Sequence, residues 1–263
     1  MLLPQGCQNS EENSWMIWPE ASTQVKAELL EQEALQSSFG YINDYFPDED
    51  LLQQLHPVDL DGDGDLDIIY NGFCGTESDC IRIFWNDQGN YITLLERFGD
   101  IKKVKRLANG NLKFEIELLP CCGDFEIRWF TLDLHLEGNS PKFTYTNFEI
   151  GVDETPEPDL HLDEPIAFTV KNSPYHLRVG PSIDTTSWHV VNGDHQGNIY
   201  LSYKAGAKGT AYGATKDSTG REWWLVKMLP TKEMVDYMEN GASLEMPAPA
   251  RWGYMSSRYL QLQ

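Results

Sequence analysis

From residue 81 to residue 150 the chain is written in short apolar runs: Ile81 to Trp85, Tyr91 to Leu95, Ile101 to Leu107, Leu112 to Leu118, Phe125 to Leu136 and Phe143 to Ile150. Runs of this length and spacing, rich in β-branched and aromatic residues, predict strands whose neighbouring side chains point to opposite faces. Strands that follow one another this closely predict an antiparallel meander. Asn109-Gly110 separates two of them, and both residues tolerate the positive φ of a type I′ turn, so a tight hairpin is expected there. Upstream the period changes. Ser22 or Thr23 can cap a helix in which Val25, Leu29, Leu35 and Phe39 form an apolar stripe among Glu28, Glu31 and Glu33, with Gly40 as its end.

Near residue 151 the pattern stops. Gly151-Val152-Asp153-Glu154-Thr155-Pro156-Glu157-Pro158-Asp159 is acidic, carries prolines and has no period, which reads as a linker. The expected organisation is a flexible N-terminus over 1–20, an antiparallel β domain with one helix over 21–150, an acidic linker over 151–165, and a small β domain over 166–263. An insertion over 231–249, with a short helix at 232–239, interrupts that second domain. The expected fold class is mainly β.

Composition narrows the partners. Eight Trp, twelve Tyr and eleven Phe are enough to fill cores, while 41 acidic against 20 basic residues give a formal charge of −21. That field repels nucleic acid and anionic membrane surfaces and favours cations or basic partners. No apolar run reaches the length of a membrane span. Cys7 stands apart from Cys74, Cys80 and the adjacent Cys121-Cys122. The last four lack C-x-x-C spacing and the histidines are scattered, so disulfides rather than zinc are expected, with three pairings open. Disulfides imply an oxidising compartment.

The densest chemistry lies at Asp59, Asp61, Asp63, Asp65 and Asp67, five aspartates at alternate positions, with Gly62 and Gly64 between them. Carboxylates this crowded repel one another unless a cation joins them. Hard oxygen donors on a glycine-bearing loop select calcium. Position twelve would be Tyr70, where an EF-hand needs a bidentate Glu, and an apolar β run follows instead of a helix. The pattern D-x-D-G-D-G-x-x-D resembles the calcium loops of the FG-GAP/VCBS repeat family, and Ile83 to Tyr91 resembles the second half of that repeat. The resemblance spans about residues 57–95 and occurs once, which excludes a propeller of typically four or more blades. It implies a hairpin stapled by calcium.

A second resemblance covers about residues 166–262. Leu177-Arg178-Val179-Gly180-Pro181-Ser182, then Glu222-Trp223-Trp224-Leu225-Val226-Lys227, then Arg251-Trp252-Gly253-Tyr254 with Tyr259-Leu260 resemble, in order, three signatures of bacterial Src-homology-3-like (SH3-like) domains. This implies a small five- or six-stranded barrel and a peptide, cell-wall or protein ligand. The aromatic residues that would line its cleft are Tyr175, Trp188, Tyr212, Trp223, Trp224, Trp252 and Tyr254. Trp223 and Trp224 are neighbours in a strand, so both cannot face one core.

No H-E-x-x-H, G-x-S-x-G or Rossmann glycine pattern occurs, and no catalytic residue is assigned. The start, Leu3-Pro4-Gln5-Gly6-Cys7, loosely resembles a bacterial lipobox, which would make Cys7 a lipid anchor; an ordinary N-terminus is the alternative. The expectation is therefore an extracytoplasmic, non-enzymatic binding protein with calcium as its cofactor. The rival is an acidic inhibitor of the immunity type that neutralises a basic toxin or hydrolase by charge complementarity.

Overall fold

The structure, a computed structural model, describes residues 20–33, 35–36, 39, 48–73, 79–119, 125–138, 140–153, 155–186, 197–230 and 247–263. It is mainly β and almost wholly antiparallel. The chain divides into two compact units: the first holds Gly6–Leu119 together with Trp129–Asn147, the second Met1–Gln5, Pro120–Arg128 and Phe148–Gln263. No helix among the described residues is long and apolar enough to cross a membrane.

In the first unit, helix α1 (Thr23–Leu30) starts where the Ser22 side chain accepts the Val25 N–H at 3.3 Å. The expected stripe is realised, since Leu35 and Phe39 are fully buried and Leu29 packs against the same cluster. A turn at residues 31–32 interrupts the helix, which a smooth 3.6-residue period does not reveal. Gly40, the expected end of this helix, lies outside the described residues. Helix α2 (Asp48–Gln54) and strand β1 (Leu55–Val58) come as additions to the expected elements.

Strands β1, β2 (Asp67–Phe73), β3 (Asp79–Asp87) and β4 (Asn90–Phe98) pair in sequence order as an antiparallel sheet. Phe39 covers this sheet, with its ring 5.2 Å from Tyr70 and 5.6 Å from Phe84. Then β5 (Asp100–Arg106), β6 (Leu112–Leu118), β7 (Glu126–Glu137) and β8 (Ser140–Val152) run as the predicted meander. The turn at Asn109-Gly110 differs from expectation. Only Gly110 has positive φ (88°), and the last β5–β6 pair is Arg106 with Leu112, so the connection is a longer loop. One left-handed glycine closes such a loop, and Asn109 instead accepts the Asn111 N–H. The two-residue turn with both φ positive is Gln88-Gly89, between β3 and β4.

The second unit uses β9 (Leu160–Val170), β10 (Tyr175–Arg178), β11 (Ile199–Tyr203), β12 (Lys208–Lys216), β13 (Glu222–Met228), β14 (Ala250–Ser256) and β15 (Leu260–Leu262). They pair in the order β15–β9–β12–β13–β14, with β10 joining β14 and β11 joining β10. Among the described residues no pairing joins β11 to β15, so the ladder stays open. The base of β8 adds to β14 in parallel, Ala250 opposite Glu149. The proposed linker is shorter than its composition suggests: β8 continues to Val152, and β9 begins at Leu160. Tertiary pairing with β12 overrides the acidic composition of residues 160–165. The expected helix within 231–249 falls outside the described residues.

Close backbone approach fixes one position in this unit. A Cβ on Gly253 would stand 2.7 Å from the Arg178 carbonyl oxygen and 2.9 Å from Leu177 Cγ, where β14 meets β10. Gly253→Ala is expected to cost about 1–3 kcal/mol, the usual range for overpacking. Gly180→Ala is the control, because its Cβ would meet only Pro156 Cδ at 4.0 Å. Urea unfolding of both variants checks the contrast; equal midpoints would refute it.

Candidate functional site

The aspartate loop links β1 to β2, spanning residues 59–66, with Asp67 as the first residue of β2. Gly62 (φ 86°) and Gly64 (φ 96°) take left-handed conformations in which a side chain would be strained. These turns fold the loop back on Asp59, whose Oδ1 accepts the Gly62 N–H at 2.7 Å and whose Oδ2 accepts the Gly64 N–H at 3.2 Å. Asp61 Oδ1 and Asp63 Oδ1 accept the N–H groups two residues on, from Asp63 and Asp65. These local bonds set the loop's shape.

Asp59, Asp61 and Asp67 each offer a carboxylate oxygen, and the three lie within 4.8 Å of one another. Two donors at about 2.4 Å from a shared ion are at most about 4.8 Å apart, so this group could hold a metal ion. Asp63 and Asp65 are brought to the loop but not into this group; their side chains are exposed. Asp67 differs from the others by being buried, 1% exposed. Burial pushes its carboxyl up to about 7, against the lowering effect of the Asn86 and Leu60 N–H groups. A cation would keep that carboxylate ionised.

The sequence pattern at residues 83–91 meets this loop in space. Trp85 Nε1 donates to Asp61 Oδ2 at 2.9 Å, and the Asn86 N–H donates to Asp67 Oδ1 at 2.8 Å. The Asn86 amide and the Tyr91 hydroxyl both donate to the Leu66 carbonyl at 3.2 Å. Leu60 N–H closes the ring on Asp67 Oδ2 at 2.7 Å. Trp85, Asn86 and Tyr91 therefore hold the carboxylates in place, a role that alternation alone does not disclose.

The aromatic residues of the second unit are dispersed. Trp223 is 1% exposed with its Nε1 on Asp217 Oδ2, while its neighbour Trp224 is half-buried and packs on the opposite core, as the strand period demands. Tyr254 is fully buried, its hydroxyl donating to the Pro156 carbonyl at 2.9 Å. Tyr175 is half-buried, donates to the Ser256 carbonyl and lies 5.1 Å from the ring of Tyr259. Among the described residues of this set only Tyr212 and Trp252 stand together, rings 4.9 Å apart, with the Lys227 ammonium 5.4 and 5.3 Å from their centroids. Glu149 accepts from both Lys227 and Trp252 Nε1, which completes that group internally. Trp188 lies outside the described residues.

Of the cysteines, only Cys80 is described; it is buried in β3 and disulfide-bonded, and its partner, like Cys74, Cys121 and Cys122, lies outside the described residues. Cys7 lies outside them too. The class defined by the structure is a mainly β protein of two units with a three-aspartate group able to hold a metal. Comparison of the whole sequence with known protein families, curated proteins and solved structures returns no match.

Proposed function

We propose that this chain is a calcium-stabilised, non-enzymatic binding protein of the extracytoplasmic compartment. Its SH3-like C-terminal part would take a cell-envelope peptide or protein ligand. The convergence of Asp59, Asp61 and Asp67 on a loop turned by Gly62 and Gly64 carries the calcium reading. All donors are hard oxygens, which favours calcium over zinc or copper, and a partly exposed loop tolerates calcium's irregular shell better than magnesium's strict octahedron. Bonds from Trp85, Asn86 and Tyr91 support the FG-GAP/VCBS-like pairing of loop and hairpin. The antiparallel run β15–β9–β12–β13–β14 supports the SH3-like reading, and the disulfide at Cys80 fits an oxidising compartment.

Calorimetric titration of the EDTA-treated chain tests it. Calcium should bind with one-to-one stoichiometry, magnesium at least about tenfold more weakly, and Asp61→Asn with Asp67→Asn should abolish the heat. Equal binding of calcium by that double variant would refute the site. The net charge of −21 favours the second reading, an acidic inhibitor of a basic protein. Association by charge slows steeply with added salt, whereas binding through aromatic groups does not.

A further inference from the structure

Three segments of the first unit enclose a pocket of about 350 Å³: the start of the aspartate loop, the β5–β6 connection and the tip of the β7–β8 hairpin. This lies at the small end of the range for ligand pockets, about 300–1,000 Å³. Its floor is apolar and fixed, built from Leu60, Leu112, Leu134 and Pro141, all buried. Its walls are polar and incompletely used. Arg106 Nη1 donates to the Gly110 carbonyl at 3.2 Å, which leaves the rest of its donor fork to a ligand. Asn109 spends its Oδ1 on the Asn111 N–H, so its amide donors remain. Asn111, His135 and Asp61 also line the space.

We propose that this pocket binds a monoanionic sugar acid, a small polyol carrying one carboxylate. A guanidinium fork matches a carboxylate in a bidentate way. The amide donors of Asn109 suit hydroxyl groups, and the apolar lining suits the C–H face of a ring. Each ligand feature answers one wall of the pocket. A dianion such as a phosphate monoester fits less well, because the lining holds one Arg and no Lys, shares it with Asp61, and the chain as a whole carries −21.

The probe is D-glucuronate, with D-glucose as the neutral counterpart, titrated into the full chain and followed by saturation-transfer NMR. All titrations are made in EDTA, so that a sugar acid chelated by a loop-bound cation cannot imitate the pocket, and failure of the calcium reading leaves the result intact. Glucuronate should bind, and glucose should bind at least about tenfold more weakly. Arg106→Gln, at an exposed position, should keep the far-ultraviolet circular dichroism of the wild type and lose about 10- to 100-fold in affinity, as expected for a charge-assisted pair. Arg258→Gln, at an exposed position of the other unit, should bind as the wild type does. Absence of glucuronate binding, equal binding of glucose, or undiminished binding by Arg106→Gln would each overturn the proposal.

Discussion

Calcium at a hundred to a thousand times its dissociation constant is expected to stabilise the folded chain by about 2.7–4.1 kcal/mol. For units of this size that is a rise in unfolding midpoint on the order of 5–15 °C. Asp61→Asn with Asp67→Asn should remove the rise, because it deletes two of the three converging carboxylates. Each amide keeps one acceptor oxygen and gives up the other, so the variant starts from a lower midpoint and the calcium-dependent rise is what is compared. The gain should also depend on pH. Without an ion, Asp67 in the folded chain holds its proton up to about 7, against 3.8 when unfolded. Its contribution to stability is thus complete below pH 3.8 and declines as the pH rises toward 7. Calcium needs the ionised form, so its effect should grow over the same window and be larger at pH 8 than at pH 5. Calorimetric scans at the two pH values, with calcium or EDTA, measure this; identical scans with and without calcium would dismiss the ion.

Arg251→Met is expected to destabilise the second unit by about 2–3 kcal/mol, the range for breaking a buried charged hydrogen-bond group. Arg251 is 5% exposed, and its Nη1 donates to Glu126 Oε1 at 3.0 Å and to the Tyr200 hydroxyl at 2.8 Å. Tyr200 in turn donates to Glu126 Oε1 at 2.6 Å. Removing the guanidinium takes away a partner of Glu126 Oε1, leaving that 14% exposed side chain with Arg128 Nη2 at 3.5 Å from its Oε2, and removes one partner of the Tyr200 hydroxyl. Arg251→Met combined with Glu126→Met, Tyr200→Phe and Arg128→Met, which removes all four members of the group, should recover most of the loss, since replacing a whole buried polar group is far cheaper than breaking it. Urea midpoints decide; a single variant within about 1 kcal/mol of the wild type would show that the group is dispensable.

The six strand runs between residues 81 and 150 were legible because alternation over five or more residues survives whatever packs on either face. The helix cap at Ser22 was equally legible, being a local bond. Strand β1 escaped notice because Leu55-His56-Pro57-Val58 is short, contains a proline and gains its partner, β2, only after the loop has closed. The carboxylates could be named, but not ranked: burial separates Asp67 from Asp63 and Asp65, and burial comes from strand pairing. The aromatic residues misled for a similar reason. Their number suggested a cleft, while the pairing of β13 and β14 sends Trp223, Trp252 and Tyr254 inward, each indole or hydroxyl satisfied by a nearby acceptor.

The hairpin of β7 and β8 gives its tip, 129–147, to one unit and its base to the other. A cut at residue 150 would therefore strand Glu126 and Glu149 on the wrong fragment, away from Arg251, Trp252 and Lys227. Neither half could travel through evolution as a cassette, or be cloned as one, without carrying a piece of the other. Fragments meant to isolate the second unit should begin before residue 125, and libraries built on a break near 150 would sample a damaged core.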